Sequence, residues 1–440
     1  MTTHNWKQIL QLAMPLILQQ LCLQMQIWID RAMLGHINAA FFSALGNTSV
    51  PYYMITSAIT AVCGGTAILV AHSIGAGDLV RVRRIAQASF LGNSILSLLA
   101  FLLFLFCSDD IFRLMGVQSP ILEYCISYTQ ILSLSLLVLG FSGTATAIVQ
   151  GLGLTKIILF AGIAGNLLNI LLDWLLIFGN LGFPALGIRG AALATVTANF
   201  VSAGLLLLFV LRSPKMPVAI RLPRSLSGQF AHYRQVLSLG IPSGVEFALW
   251  NAGNMMLVSY LNRLDPMAAG IYTLVFSVET VPLLIYMGFA NAGLTLVGQE
   301  TGARSPQQAR RTGLICLGFS MSVCLLVAVI FRAFPRPLLT LFTDDPSILD
   351  TAAPYLVFIS WILFPKAINN VIGLCIRGMG DTRWMLYTQI FGTCFMICAG
   401  YCLILKTVLG LSGVFITLLA DESIRGAVNL LRFLRPASLD

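Results

Sequence analysis

The stretch Gly151-Leu-Gly-Leu-Thr-Lys156 decides the fold, because it returns 227 residues later as Gly378-Met-Gly-Asp-Thr-Arg383. Chance matches of apolar residues would not keep glycines, a threonine and a basic residue in one register. The same offset pairs further residues along the chain: Leu12 with Leu239, Pro15 with Pro242, Val70 with Val297, Gly75 with Gly302, Arg83 with Arg310, and Tyr128 with Tyr355. The sequence therefore predicts two related halves.

The composition identifies the environment of these halves. Of 440 residues, 58% are apolar and 10% are charged, and the mean hydropathy is +0.87. Soluble domains carry about 25% charged residues, so soluble enzymes, disordered chains and nucleic-acid-binding proteins are excluded despite the net charge of +9. The ten cysteines are scattered, nearly all within apolar stretches, and are interpreted as small core residues, not as disulfides or metal ligands.

Because about 20 apolar residues are needed to cross the hydrocarbon core, the chain is predicted to be an all-α polytopic membrane protein with twelve transmembrane helices. The expected spans are 6–35, 42–75, 86–107, 121–150, 156–179, 188–211, 234–262, 270–302, 312–333, 348–378, 384–405 and 409–434. They divide into an N-terminal lobe (1–212), a cytoplasmic linker (213–231) and a C-terminal lobe (232–440). Since six is even, both lobes start on the same membrane side, and such parallel pseudo-symmetry is typical of transporters.

The loop charges predict the orientation. The connections between even- and odd-numbered spans hold 14 Lys and Arg residues, whereas the opposite connections hold six, diluted by acids. Positive loops stay cytoplasmic, so both termini are expected in the cytoplasm. No segment is interpreted as a cleaved signal peptide; the apolar start is taken as the first span.

Charged residues at membrane depth are costly and therefore functional candidates. In the first lobe, Asp30 lies in span 1, and Asn166, Asn169 and Asp173 share one face of span 5. Two carboxylates with amide neighbours can share a proton or coordinate a hard cation. The alternative is that each Asp is hydrogen-bonded to a helix neighbour, or that Asp30 is hydrated near the outer interface.

The second lobe is expected to carry a cavity with polar residues on spans 7, 8 and 10: Glu246, Trp250, Asn254, Glu279, Lys366 and Asn370. A lone ammonium at membrane depth needs a partner, so Lys366 is expected to pair with Glu246 or, alternatively, with Glu279. On span 12, Asp421 and Arg425 are spaced as a pair on one helix face. The sequence assigns no role to Glu422 beside them.

Several motifs in order resemble the multidrug and toxic compound extrusion (MATE) family over the whole chain. They are Ala13-Met-Pro-Leu-Ile-Leu-Gln19, Ile29-Asp-Arg-Ala-Met-Leu-Gly-His36, Val70-Ala-His-Ser-Ile-Gly-Ala-Gly-Asp78, Asn169-Ile-Leu-Leu-Asp173, Pro184-Ala-Leu-Gly-Ile-Arg-Gly-Ala-Ala192 and Arg377-Gly-Met-Gly-Asp-Thr382. The resemblance implies a twelve-helix, two-lobe exporter driven by a proton or sodium gradient through alternating access.

The resemblance also implies roles for individual residues. Asp30, Asn169 and Asp173 match the family's cation-coupling residues, with Tyr128 in the same network. Pro15 matches the proline where the first helix bends, and Pro242 is its counterpart in the second half, so both are expected hinges. Some members also use a carboxylate pair in the second lobe, but its span 10 position is Lys366 here. This departure favours proton coupling and the DinF-like over the NorM-like branch.

The predicted function is the export of small amphipathic, cationic organic compounds in exchange for protons, sodium being second. The protein is expected in the plasma membrane as a monomer. Its expected partners are membrane lipid and a small-molecule substrate, and no cofactor, bound metal or nucleic acid is expected. Two alternatives are a flippase for lipid headgroups in the same superfamily and a membrane-embedded prenyltransferase. The absence of phosphate-binding and metalloprotease motifs argues against an enzyme. The sequence does not identify the substrate or the role of Asp421, Glu422 and Arg425.

Overall fold

A computed structural model describes residues 6–217, 219 and 228–435 of the chain. Within these residues all regular secondary structure is helical. The α-helices are α1 (Trp6–Ile37), α2 (Ala39–Gly75), α3 (Leu79–Leu114), α4 (Ile121–Leu132), α5 (Leu134–Gly151), α6 (Lys156–Phe178), α7 (Ile188–Arg212), α8 (Gln229–Leu264), α9 (Pro266–Gly302), α10 (Pro306–Ala333), α11 (Pro335–Leu339), α12 (Pro346–Gly378), α13 (Thr382–Leu405) and α14 (Leu411–Leu434). The predicted all-α class is confirmed.

The long helices follow the predicted spans, but several extend beyond them. α3 begins at Leu79 where position 86 was expected, and α10 begins at Pro306 where 312 was expected. Hydropathy marks only the apolar part of a helix, whereas the hydrogen-bonded backbone continues through the turns that carry Arg83 and Arg310. Both helices therefore begin with polar turns that precede their apolar part.

The fourth predicted span is interrupted at Ser133, which separates α4 from α5. The Ser133 hydroxyl donates a hydrogen bond to the carbonyl oxygen of Gln130 at 2.7 Å. Back-bonding of a serine hydroxyl to the preceding turn competes with the helix ladder and bends helices. The one-helix prediction was therefore wrong at this residue.

Ten helices among the described residues are long and apolar enough to cross a membrane. Helices α8 and α14 occupy the predicted spans 7 and 12 but carry more charge, including Glu246 on α8 and Asp421, Glu422 and Arg425 on α14. Large apolar side chains lie exposed along the bundle, such as Phe106 with 74% of its surface accessible, as a surface against lipid tails requires.

The chain divides into two compact units. The N-terminal unit is Leu18–Gly244, and the C-terminal unit contains residues 6–17 and 245–435. Helices α1 and α8 therefore each begin in one unit and end in the other, so the units differ from the predicted lobes in these two segments. Of the predicted linker 213–231, residues 218 and 220–227 lie outside the described residues, and the last three residues belong to α8.

Each unit repeats the same close helix contact. In the N-terminal unit, a Cβ on Gly151 would lie 2.8 Å from the carbonyl oxygen of Ala67; in the C-terminal unit, a Cβ on Gly378 would lie 2.6 Å from that of Leu294. Both residues of one contact are displaced by the predicted offset of 227 from those of the other. Glycine is needed here because the backbones of α5 and α2, and of α12 and α9, approach too closely for a side chain.

Candidate functional site

Two acids meet in the N-terminal unit, as the sequence predicts. Helix α6 turns Asn166, Asn169 and Asp173 to its buried face, and both Asn169 and Asp173 are fully buried. Asp30 on α1 lies within electrostatic reach of Asp173. Two ionised carboxylates cannot donate hydrogen bonds to each other, so the pair needs a proton or another cation between them.

The oxygens of this acid pair have few protein donors. Among the described residues, no hydrogen-bond partner is found for Asp30 Oδ1, for either carboxyl oxygen of Asp173, or for Asn169 Oδ1. Asn169 Nδ2 donates to Thr195 Oγ1 at 3.4 Å. Tyr128 on α4 lies within electrostatic reach of both acids. The four predicted coupling residues are thus neighbours, and their free acceptors suit a small cation.

In the C-terminal unit, Lys366 pairs with Glu279. The Lys366 ammonium on α12 donates to Glu279 Oε1 on α9 at 2.7 Å, both side chains are at most 7% exposed, and the ammonium lies 5.0 Å from the centre of the Phe276 ring. The preferred partner Glu246 was therefore wrong and the alternative Glu279 is confirmed. The neighbouring helices α12 and α9, not α12 and α8, bring the charges together.

Glu246 instead pairs with Arg377. The distance from Arg377 Nη2 to Glu246 Oε1 is 2.6 Å, and Arg377 lies in the last turn of α12. The sequence reasoning missed this pair because Arg377 was counted with the loop charges. The internal repeat indicates this pair. At the offset of 227, Glu246 aligns with Gln19 and Arg377 aligns with Gln150. Both positions therefore hold an amide in the first half and a charged side chain in the second.

The other predicted cavity residues, Trp250, Asn254 and Asn370, contact nearby residues of α8, α9 and α12. Asn254 Oδ1 accepts a hydrogen bond from Tyr272 at 3.2 Å. Trp250 stacks on Phe247 with ring centroids 6.2 Å apart. Asn370 Nδ2 donates to the carbonyl oxygen of Lys366 at 2.7 Å. Tyr272 also contacts the Phe276 ring, which connects Asn254 to the Lys366 site.

A buried polar network surrounds the middle of α14. Arg425 contacts Asp421 through Nε and Nη2, with the shortest distance 2.6 Å, so the predicted pair is confirmed. Arg425 Nη1 also donates to Gln389 on α13 at 2.7 Å. Glu422 Oε2 accepts from Asn369 Nδ2 on α12 at 2.7 Å. We call Asp421, Glu422 and Arg425 the α14 cluster.

The two expected hinge prolines lie inside long helices, Pro15 in α1 and Pro242 in α8. The C-terminal unit's first segment ends at Ile17 and the N-terminal unit ends at Gly244, two residues after each proline. A proline removes a helix hydrogen bond and permits a bend. Each helix thus passes from one unit to the other next to its proline.

Known proteins resemble this chain along nearly its whole length. The probable multidrug resistance protein NorM of Thermotoga maritima is 27% identical over 437 residues, covering 97% of this chain and 92% of the relative. The uncharacterized transporter YisQ of Bacillus subtilis is 24% identical, covering 92% and 89%. A multidrug resistance MATE family transporter of the MOP superfamily, solved in an outward-facing conformation, superimposes with a TM-score of 0.90 at 22% identity over 97% of this chain and 95% of that one. A MOP superfamily transporter from Pyrococcus furiosus, described as having a binding pocket of reversed polarity, does so with a TM-score of 0.89 at 22% identity over 97% and 95%.

The family assignment rests on both halves of the chain. The MatE family profile matches residues 15–175 and again residues 242–402, so each predicted repeat is matched separately and together the matches cover most of the sequence. The members are transporters and not enzymes, which removes the prenyltransferase alternative. The chain therefore belongs to the MatE family of multi-pass membrane transporters.

Proposed function

We propose that the protein exports small amphipathic organic cations in exchange for protons, and that Asp30 and Asp173 carry the exchanged proton. The observation that supports this most is the acid pair of the N-terminal unit, in which Asp30 Oδ1 and both carboxyl oxygens of Asp173 have no hydrogen-bond partner among the described residues. Like charges in a low dielectric favour a shared proton. Asn169 and Tyr128 would orient the pair.

A proton suits this site better than sodium for two reasons. In the N-terminal unit, the two neighbouring carboxyl groups need only one proton to become hydrogen-bonded to each other. In the C-terminal unit, Lys366 neutralises Glu279 and Arg377 neutralises Glu246, so neither acid is left to ligate sodium. This supports the expected DinF-like branch.

A flippase for anionic lipid headgroups is the second candidate. It would need a cationic cavity, but Lys366 and Arg425 are neutralised by Glu279 and Asp421. Arg31 is exposed and alone offers little for an anionic headgroup. The charges thus favour a cationic or neutral substrate.

The test is efflux of ethidium from proteoliposomes with imposed proton and sodium gradients in separate experiments. We expect a pH gradient to drive efflux and a sodium gradient to have little effect. Asp30→Asn and Asp173→Asn should each reduce coupled efflux by at least tenfold, because the pair no longer exchanges a proton. Asp110→Asn makes the same chemical change on the exposed end of α3 and should leave efflux unchanged.

Three results would contradict the proposal: a strict requirement for a sodium gradient, normal efflux by either acid variant, or movement of a fluorescent anionic lipid in place of ethidium.

A further inference from the structure

Away from its helix ends, the described part of the C-terminal unit holds four buried acids, Glu246, Glu279, Asp421 and Glu422, and these face three basic partners. Each of these three bases lies beside its own acid: Lys366 lies 2.7 Å from Glu279, Arg377 lies 2.6 Å from Glu246, and Arg425 lies 2.6 Å from Asp421. Glu422 is the acid that remains.

Both Glu422 and Asp421 lie near Arg425, and Asp421 is the closer of the two. The distance from Arg425 Nη2 to Glu422 Oε1 is 3.5 Å, whereas Asp421 receives hydrogen bonds from Arg425 on both of its oxygens. One guanidinium neutralises one carboxylate, so the α14 cluster carries a net negative charge when both acids are ionised.

The position of Glu422 makes this charge costly. It is the twelfth residue of the 24-residue α14 and is 4% exposed. At a rise of 1.5 Å per residue it lies about 18 Å from either helix end, in the middle of predicted span 12. Glu300 is also buried but lies two residues before the end of α9, where it accepts a hydrogen bond from Thr312 at 2.7 Å.

A chain of hydrogen-bond donors leads to Glu422. Trp384 Nε1 donates to Asn429 at 2.9 Å, Asn429 donates to Asn369 at 2.8 Å, and Asn369 donates to Glu422 at 2.7 Å. Every donor points toward the carboxylate, so the contacts of this conformation stabilise its ionised form. The contacts join α12, α13 and α14.

Other titratable groups near the α14 cluster are already paired or neutral. Glu246 on α8 interacts electrostatically with Arg425 but is bound by Arg377. Tyr286 on α9 is fully buried within electrostatic reach of Glu422 and Glu279. Lys366 is held by Glu279. None of these groups supplies a positive charge that is free to neutralise Glu422.

We propose that Glu422 is a second proton-binding site, ionised while Asn369 and Arg425 contact it and protonated in the state of the cycle in which those contacts are lost. A buried carboxylate without its donors is neutralised by taking up a proton from water. The inference rests on the proposed proton exchange and adds a proton to it: the transporter exchanges protons at two separate sites, one in each unit.

The experiment counts the protons released when ethidium binds to the purified protein in lipid nanodiscs, by titration calorimetry in buffers of different ionisation enthalpy. Glu422→Gln, which keeps an acceptor for Asn369, should lower the count by about one proton. Asp421→Asn should lower it equally, because Arg425 then neutralises Glu422. Asp350→Asn, at an exposed acid paired with Arg336, is the matched control and should leave it unchanged.

The outcomes separate this inference from the proposed function. If wild type releases protons and Glu422→Gln and Asp421→Asn release the same number, Glu422 is not a proton site, although proton exchange stands. If wild type releases none and a pH gradient drives no efflux, the proposed function itself is wrong. Because Asp421→Asn tests the same surplus charge, a failure of Glu422→Gln to fold does not prevent the test.

Discussion

Lys366 and Glu279 are 87 residues apart in the sequence, yet their charged groups lie 2.7 Å apart. The sequence predicted that a lysine at this depth needs an acid, because an unpaired buried charge is costly. It favoured Glu246 because the two halves suggested equivalent inner helices. Which acid is in reach depends on how α9 and α12 pack, and spacing along the chain carries no information about that.

The Lys366–Glu279 pair should behave as a coupled unit. Lys366→Ala leaves an uncompensated carboxylate and is expected to cost about 3–5 kcal/mol of stability, measured as a lower unfolding temperature in detergent. Lys366→Ala with Glu279→Gln should cost less, and Lys366→Glu with Glu279→Lys should recover part of the loss. A swap of Lys366 with Glu246 should recover nothing. Stability unaffected by Lys366→Ala would rule out the pairing.

At the scale of helices, the glycines explain why the repeat could be recognised. Gly151 and Gly378 occupy contacts where the neighbouring backbone leaves no room for a Cβ, and such positions change little when a sequence duplicates and diverges. The break at Ser133 was not predicted, because a serine within an apolar stretch is usually compatible with a continuous helix. The beginnings of α3 and α10 were also missed, since hydropathy follows the bilayer and not the backbone.

Two glycine substitutions in the C-terminal unit should have opposite effects. A Cβ on Gly378 would lie 2.6 Å from a backbone oxygen, so Gly378→Ala is expected to destabilise the protein by about 1–3 kcal/mol. Gly318 in α10 has nothing within 4 Å of its Cβ position, and Gly318→Ala should stabilise it by about 0.5–1 kcal/mol. Thermal unfolding in the same detergent compares them. Equal shifts would show that the α9 and α12 backbones are less close than described.

For the whole molecule, the number of long helices could be predicted because bilayer thickness fixes their length. The acid pair on α1 and α6 could also be predicted, since the depth of the charges and the face of α6 follow from sequence. Arg377 could not, because a charge in the last turn of a span is counted with the loop charges, and its partner Glu246 depends on how α8 and α12 pack. The substrate is likewise not encoded in any single motif.

The predicted orientation can be tested by labelling single cysteines in a background without the ten native ones. Lys215 precedes α8 and should be cytoplasmic, whereas Lys406 follows α13 and should be external, because positive loops remain inside. In intact cells, a membrane-impermeant maleimide should modify Lys406→Cys but not Lys215→Cys. Labelling of Lys215→Cys before lysis would reverse the proposed topology. Arg221, which lies in the predicted cytoplasmic linker, is outside the described residues.

The division of α1 between the two units has a consequence for biogenesis. The first turns of α1 are synthesised long before α9, but Ile17 packs against Gly288, 271 residues later in the chain. A contact with such sequence separation closes late. The start of α1 can therefore not reach its final packing position until α9 has been inserted into the membrane. A nascent chain that ends before α9 lacks this contact, and we expect quality-control proteases to degrade it.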